Sequence, residues 1–182
     1  MATVDKLLQI SAKGHLARIT RAGQSSVHDH GFILDLNATL VLFHYEFDFL
    51  LDGYSVVRVA DITAVRSGQY ERFTERVFRK EGVIDAVGLD DPPDLTDWRA
   101  LLFGLKQLKR NVIVECEFND DERDEFYIGQ IERVNQASFS LRHFDALGRW
   151  DAAPTQIRYE SVTKVRFAER YIEVFSRHLR PR

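Results

Sequence analysis

The order of apolar and polar positions in the second half of the chain repeats an order already present in the first half. In each half a glycine-led segment comes first, a mostly apolar segment follows, and a short alternating pair closes the pattern. The matched segments are 31–37 with 129–135, 39–45 with 138–144, and 58–65 with 158–165. A recurrence at about 100 residues is typical of an internal duplication. The pattern therefore predicts two copies of one small β-rich unit.

Apolar residues three and four positions apart, which is the spacing of a helix face, occur outside the strand patterns. They predict a first helix over residues 3–13. Tyr70, Phe73 and Val77 have the same spacing and predict a second helix, which ends at Gly82. A third helix is predicted by a longer apolar stripe, which consists of Trp98, Leu101, Leu102, Leu105 and Leu108.

Two consecutive prolines, Pro92 and Pro93, mark the boundary between the copies. Proline cannot continue a helix or lie in a central strand. We expect the first unit and its trailing helix in residues 1–82 and a linker in 83–93. The second unit, with a leading helix and a C-terminal tail, is expected in 94–182.

Each copy would contain five short antiparallel strands preceded by a helix. A sheet of this size avoids exposed edges by curling into a small barrel. We therefore predict a mostly β protein with short helices, built from two tandem five-stranded antiparallel barrels. A single antiparallel sheet with helices on one side is the alternative.

The composition is that of an ordinary globular chain. Of 182 residues, 45% are hydrophobic and 29% are charged. The net charge is −3, and neither half has the basic excess that binding to a phosphate backbone usually needs. The single cysteine, Cys116, is expected to be a small buried apolar residue. The chain start lacks the features of a signal peptide and no apolar run could span a bilayer, so we predict a cytoplasmic protein without membrane contact.

Motifs of catalysis and metal binding are weak in this sequence. His28 and His30 would share one strand face, but no third metal ligand is identifiable, so an exposed start of a strand is expected. A metal-dependent enzyme that uses these residues and His44 is the least favoured hypothesis. The acidic segment 117–125 lacks the spaced oxygen ligands of a calcium loop and is expected to be a solvated hairpin. Phosphate loops, nucleophile elbows and paired CxxC motifs are missing, so we predict no catalytic residue, metal or cofactor and no enzymatic activity.

The second copy resembles the Sm-like fold. The resemblance rests on Gly129 to Glu132 followed by Asn135 and Gln136, which form a glycine-led strand and a polar turn, and on an apolar strand and a short strand pair after them. Within that fold, the second copy resembles most closely the bacterial host-factor RNA chaperone, and the overall layout resembles uncharacterised bacterial proteins with tandem small barrels. The resemblance implies tandem Sm-like or SH3-like barrels that associate through strand edges, and hence an oligomer.

One feature of that chaperone family is absent. The family has a Lys-His pair just before the last strand, which helps to form a pore-side RNA site. The matching positions hold Tyr159 and Glu160 in the second copy, and Val59 and Ala60 in the first. These side chains do not attract phosphate as Lys and His do. The resemblance therefore implies the fold without the central RNA site.

Basic residues near the last strands nevertheless recur in both halves. Arg58 is matched to Arg158, and Arg66 is matched to Arg166. They support RNA binding as an alternative function. The candidate RNA-binding residues are Arg58, Arg66, Arg158, Lys164 and Arg166.

Large apolar residues in loops are costly in water and often cover a core or contact a partner. Burial of one copy against the other is the simpler explanation for them here, and an oligomer or peptide surface is the alternative.

His44 and His143 are expected at equivalent places, where they could end a strand or form a pH-sensitive contact or ligand pair. The candidate interaction surface consists of Phe47, Phe49, Trp150, His44 and His143. We therefore expect a non-catalytic binding module for a protein partner or for copies of itself.

Overall fold

The computed structural model describes residues 2–22, 28–117 and 125–181. The protein is mostly β, with 41% strand and, in the described residues, four short α-helices. The chain divides into two compact units, Met1–Pro92 and Pro93–Arg182. All the strand pairings described within each unit are antiparallel.

The first unit has a leading helix, five strands and a trailing helix. A 3₁₀ turn, Val59–Asp61, separates the last two strands. The strand order is β5-β1-β2-β3-β4. The elements are α1 (Ala2–Ala12), β1 (Leu16–Arg21), β2 (His28–Leu36), β3 (Leu40–Phe47), β4 (Leu50–Arg58), β5 (Ile62–Arg66) and α2 (Gln69–Lys80).

The second unit repeats this arrangement. A 3₁₀ turn, Tyr159–Ser161, again separates the last two strands, and the strand order is β10-β6-β7-β8-β9. The fifth strand therefore pairs with the first in both units. The elements are α3 (Trp98–Gln107), β6 (Asn111–Cys116), β7 (Glu125–Val134), β8 (Ser138–His143), β9 (Thr155–Arg158), β10 (Lys164–Phe167) and α4 (Arg170–Ser176).

The strand registers also repeat. Gly31 in β2 lies opposite Tyr45, and Gly129 in β7 lies opposite His143. Each ladder then shifts its register at a bulge two residues later, between Ile33 and Asp35 or between Ile131 and Arg133. A bulge bends its strand and increases the local twist, so both sheets bend at the same place.

Both glycines lie where a neighbouring backbone comes very close. A Cβ atom on Gly31 would lie 2.5 Å from the carbonyl oxygen of His44. A Cβ atom on Gly129 would overlap the carbonyl oxygen of Arg142. A glycine inside a strand commonly marks such a close approach. The repeated glycine is therefore required by the packing of the second strand against the third.

The two closed barrels that we predicted are not shown. Among the described residues, no ladder joins β4 to β5 in the first unit, and none joins the corresponding pair, β9 and β10, in the second. The sheet of each unit is therefore open. An amphipathic helix can cover the apolar face of an open sheet, which removes the need for closure.

In the first unit, α1 covers the apolar face of the sheet. Leu7 and Ile10 of this helix are buried among side chains of every strand, which confirms the predicted first helix. The sheet side of the core consists of Ala17, Ile19, Ile33, Val41, Phe43, Val57, Val59, Ile62 and Val65.

Helix α2 lies on the first unit through Phe78, which packs with Leu16 and Phe32. The helix itself was predicted, but its apolar side is not its buried side. Tyr70 and Phe73 are 67% and 53% exposed. The buried positions of this helix are Glu71, Glu75 and Phe78.

Part of the segment expected as a linker packs on the first unit. Val83, Ile84 and Val87 contact the cluster formed by Leu16, Phe32 and Phe78. A 3₁₀ turn, Ile84–Ala86, shapes this segment.

In the second unit, α3 buries Trp98, Leu101, Leu102 and Leu105, as the apolar stripe predicted. Leu108 lies just beyond the helix and is exposed. The carboxylate of Asp97 accepts a hydrogen bond from the Ala100 backbone at 2.8 Å and caps the first turn. Helix α4 packs elsewhere on this unit, in a cluster of Ile113, Ile128, Phe144 and Ile172.

Candidate functional site

The hairpin between β3 and β4 presents three large apolar side chains to solvent. Phe47, Phe49 and Leu50 are 61%, 47% and 55% exposed, and we call them the apolar tip. Asp48 and Phe49 form a two-residue turn in which φ is 50° and 62°. Positive φ at both central residues matches a type I′ turn, which favours Asn-Gly or Asp-Gly. Phe49 therefore occupies a left-handed position that glycine would fill without strain.

Glu46 fixes the base of the apolar tip. Its carboxylate accepts a hydrogen bond from the Phe49 backbone at 3.0 Å. The other carboxylate oxygen lies 3.4 Å from Nδ1 of His30. Because Glu46 is buried, these contacts hold the turn against the sheet. The apolar tip is a preformed surface feature.

Trp150 does not form a matching exposed surface in the second unit. Its ring contacts Phe144 edge to face, with centroids 5.4 Å apart. The indole Nε1 donates a hydrogen bond to the carbonyl oxygen of Arg180 at 3.1 Å. Trp150 therefore joins the C-terminal tail to the core of its unit, while Leu147 in the same loop is exposed.

A cavity of about 560 Å³ lies beside Trp150 in the second unit. Arg142 on its wall donates hydrogen bonds to the Glu132 carboxylate and to the carbonyl oxygens of Asp151 and Ala152. The hydrogen bond with Glu132 raises the pKa of Arg142. This arginine therefore links strand and loop, and its hydrogen-bonding groups are already used.

His44 holds the segment after α2 against the first unit. Its Nδ1 accepts a hydrogen bond from the Gly88 backbone at 3.3 Å, and its ring stacks on Tyr54 with centroids 4.6 Å apart. The Tyr54 hydroxyl donates to the Gly88 carbonyl oxygen at 2.8 Å. Burial lowers the pKa of His44. The ring is therefore neutral and serves as a structural contact.

His143 also has a structural contact. Its Nδ1 accepts a hydrogen bond from the Ile128 backbone at 3.2 Å. The expected equivalence of His44 and His143 is wrong. The register matches His143 to Tyr45, and it matches His44 to Arg142. Each histidine bonds to backbone, as the simpler interpretation predicted.

The His44 contact predicts that the protein loses stability in mild acid. The unfolded chain takes up the proton near pH 6.5. The folded protein takes it up only at lower pH, so this contribution is complete above about pH 6.5 and decreases as the pH falls below it. Urea unfolding at pH values on both sides of 6.5 should show this decrease, and His44→Phe, which keeps a stacking ring, should reduce it. Equal pH dependence in the two proteins would contradict this role.

The basic candidates of the first unit have different environments. Arg58 Nε donates to the Asp61 carboxylate at 2.9 Å and fixes the 3₁₀ turn. Arg66 donates to Glu71 at 2.8 Å, but its side chain is still 46% exposed. Arg66 is therefore the better placed of the two for a ligand.

In the second unit, the candidate RNA-binding residues either form ion pairs with carboxylates or are buried. Arg158 forms an ion pair with Glu160 at 2.7 Å. Arg166 pairs with Glu115 at 2.9 Å and with Glu169 at 2.6 Å. Lys164 is only 6% exposed. The ladder registers do match Arg58 with Arg158, because both lie opposite the first residue of the third strand.

A basic row missed by the sequence analysis crosses three strands of the first unit. Arg18 lies opposite Arg66 in β5 and opposite His30 in β2, so the three side chains share one face. They line a groove of about 270 Å³ whose other wall is α2. The alternation of residues 15–21 is typical of a strand, but only the register shows which residues lie beside Arg18.

The proposed ligands of a metal-dependent enzyme are not brought together. His28 contacts Thr20 at 3.0 Å, His30 contacts Glu46, and His44 contacts Gly88. In the described part of the chain, no group of three or more His, Cys, Asp or Glu residues could hold a metal ion. Most of the acidic segment 117–125 lies outside the described residues.

Within the described ranges, none of the helices has both the length and the apolar character needed to cross a bilayer.

Comparisons of the chain with protein-family models, curated proteins and solved structures found no match.

Proposed function

We propose that the protein is a non-catalytic, cytoplasmic binding module whose first unit binds a protein partner through the apolar tip. The observation that carries this proposal is the combination of exposure and strain at Phe49. A phenylalanine in the left-handed region costs about 1–2 kcal/mol relative to glycine. About half of the Phe49 surface stays in solvent, so burial of the ring offsets this cost only in part. Strained positions of this kind cluster at functional sites.

The architecture supports the same proposal. We propose that each unit is Sm-like or SH3-like, because each has a glycine-led second strand, an apolar third strand and a short final pair. The outer strands β5 and β9 each have a single partner in the described residues. Such edges permit association of copies into an oligomer. A second copy of the chain is therefore one candidate for the protein partner.

Phe49→Gly separates binding from stability. It creates the preferred Asp-Gly turn, so we expect the free energy of unfolding to rise by about 0.5–1 kcal/mol. The same change removes a central ring of the apolar tip and is expected to abolish partner binding. Urea unfolding measures the first effect.

Photo-crosslinking measures the second effect and tests the proposed function directly. A photoreactive phenylalanine at position 47 or 49 should form specific protein adducts in cells of the source organism. Position 103 is the matched control, because Phe103 lies on α3 and is 53% exposed. Phe49→Gly should abolish the adducts at position 47. Equal adducts at 47 and 103, or adducts that persist in Phe49→Gly, would contradict the proposal.

A further inference from the structure

The solvent side of α2 is basic although the chain as a whole carries a net charge of −3. Both glutamates of this helix are buried, Glu71 at 4% exposure and Glu75 at 1%. The helix also contains four basic residues, which are Arg72, Arg76, Arg79 and Lys80. Arg72 and Arg79 contact Glu75, whereas Arg76 and Lys80 have no carboxylate partner in the described part of the chain. The solvent side of α2 therefore carries an excess of positive charge.

Two exposed aromatic rings lie among these charges. The guanidinium of Arg66 is 5.6 Å from the ring centroid of Tyr70, and that of Arg76 is 5.6 Å from the centroid of Phe73. Residues three apart are neighbours on a helix surface, so the two rings are adjacent. Each ring keeps more than half of its surface in solvent.

The basic row extends this surface onto the sheet. Arg18, His30 and Arg66 line the groove beside Tyr70 and Thr74. Arg18 has no ion-pair partner among the residues that the structure describes. Desolvation lowers the pKa of His28, and the nearby charges of Arg18, His30 and Arg66 lower it further, against the opposing charge of Asp29. Glu71 also lines the groove and the Glu46 carboxylate lies beside His30, but basic side chains outnumber these carboxylates from α2 across β5 and β1 to β2.

The second unit shows that the fold does not require a basic row. The same ladder positions there are Arg166, Ile113 and Ile128. The two isoleucines are buried under α4, where they pack with Ile172. Arginine and histidine at these positions of the first unit leave a groove in place of an apolar contact. The groove is therefore a specific property of the first unit.

We propose that this surface binds single-stranded nucleic acid. Arg18, Arg66 and Arg76 contact phosphates, and Tyr70 and Phe73 stack with bases. A positive groove beside exposed aromatic rings is the usual composition of a site for single strands, because every base has a face that can stack. A bilayer surface would require a broader apolar face than two rings. The site shares no residue with the apolar tip, although His30 contacts Glu46 at its base, and it does not depend on the partner of the apolar tip.

Fluorescence anisotropy with labelled twelve-nucleotide oligouridylate and oligothymidylate tests this proposal. The full-length protein should bind, and the affinity should fall as salt is raised. Arg18→Gln with Arg76→Gln should weaken binding about tenfold or more and reduce the salt slope by about 1.4, which corresponds to two phosphate contacts. Tyr70→Ala should weaken binding about 5- to 150-fold without changing that slope.

Matched variants show whether the effects are local. Arg110→Gln with Arg177→Gln removes two exposed charges from the second unit, and Phe103→Ala removes an exposed ring from α3. Both should bind like the unchanged protein. Circular dichroism and thermal unfolding verify that every variant is folded.

The proposal is overturned if no binding occurs at low salt or if the Arg18 and Arg76 double variant binds normally. It is also overturned if phosphatidylserine vesicles bind while the oligonucleotides do not, which would assign a membrane surface. Displacement of the oligonucleotide by polyglutamate as effectively as by unlabelled oligonucleotide would assign an acidic protein instead.

Discussion

Gly129→Ala is expected to lower the free energy of unfolding by about 3 kcal/mol or more, which is the upper end of the range for overpacking. The new methyl group would overlap the Arg142 carbonyl oxygen. A side chain could rotate away, but here the obstacle is the backbone of β8. The strands must separate, and the hydrogen bonds of their ladder are then lost. Urea unfolding with a fluorescence or circular dichroism signal measures this effect.

Gly104→Ala is the matched control for this prediction. Gly104 lies inside α3 and has open space where a methyl group would be placed. Alanine is favoured over glycine in a helix by about 0.5–1 kcal/mol, so this change should stabilise the protein. Gly31→Ala should resemble Gly129→Ala, because its methyl group would meet the His44 carbonyl oxygen. Tolerance of alanine at position 129 would refute the close approach of the two strands.

Glu75→Ala is expected to cost about 3 kcal/mol. The buried carboxylate accepts a hydrogen bond from the Leu16 backbone at 2.8 Å and pairs with Arg72. It also lies 3.3 Å from Nδ1 of His15. Alanine would leave the Leu16 N–H and the arginine without this partner inside the protein. A buried donor that loses its acceptor costs the full free energy of its desolvation. Denaturant unfolding quantifies the loss.

Two further variants separate charge from hydrogen bonding at this position. Glu75→Gln keeps an acceptor for the Leu16 N–H, so it should cost clearly less than Glu75→Ala. Glu81→Ala removes an exposed carboxylate at the end of the same helix and should change stability by less than about 0.5 kcal/mol. If Glu75→Ala behaved like Glu81→Ala, α2 would not be held by its glutamates.

The sequence pattern predicted the elements well where periodicity and packing agree. The buried stripe of α3 and the core side of α1 both follow from apolar spacing, because these helices have one apolar face and a sheet to cover. The duplicated order of strands was also visible, since Gly31 and Gly129 begin matching patterns. These features depend on local chemistry that each segment carries itself.

The orientation of α2 could not be predicted in this way. Tyr70, Phe73 and Val77 form its more apolar side, yet Glu71 and Glu75 are buried. Burial of a carboxylate depends on partners outside the helix, and for Glu75 that partner is the Leu16 backbone, 59 residues away in the sequence. Periodicity contains no information about those partners.

Strand pairing explains the other differences. The match of His44 with His143 failed because one residue of register separates them, and only the ladders around the glycines define that register. The basic row was missed for the same reason, since Arg18 and Arg66 are far apart in sequence. The turn at Asp48 and Phe49 was not predictable for a different reason, because it lacks the glycine that usually marks a type I′ turn in a sequence.

The shared register is the central claim of this account, because it decides which side chains form each surface. Cross-strand nuclear Overhauser effects in the isotope-labelled protein test it most directly. Contacts are expected between Ile33 and Phe43 and between Ile131 and Leu141. Contacts are also expected between Arg18 and Arg66 and between Ile113 and Arg166. A shift of one residue in either unit would move those side chains to the opposite face and contradict the account.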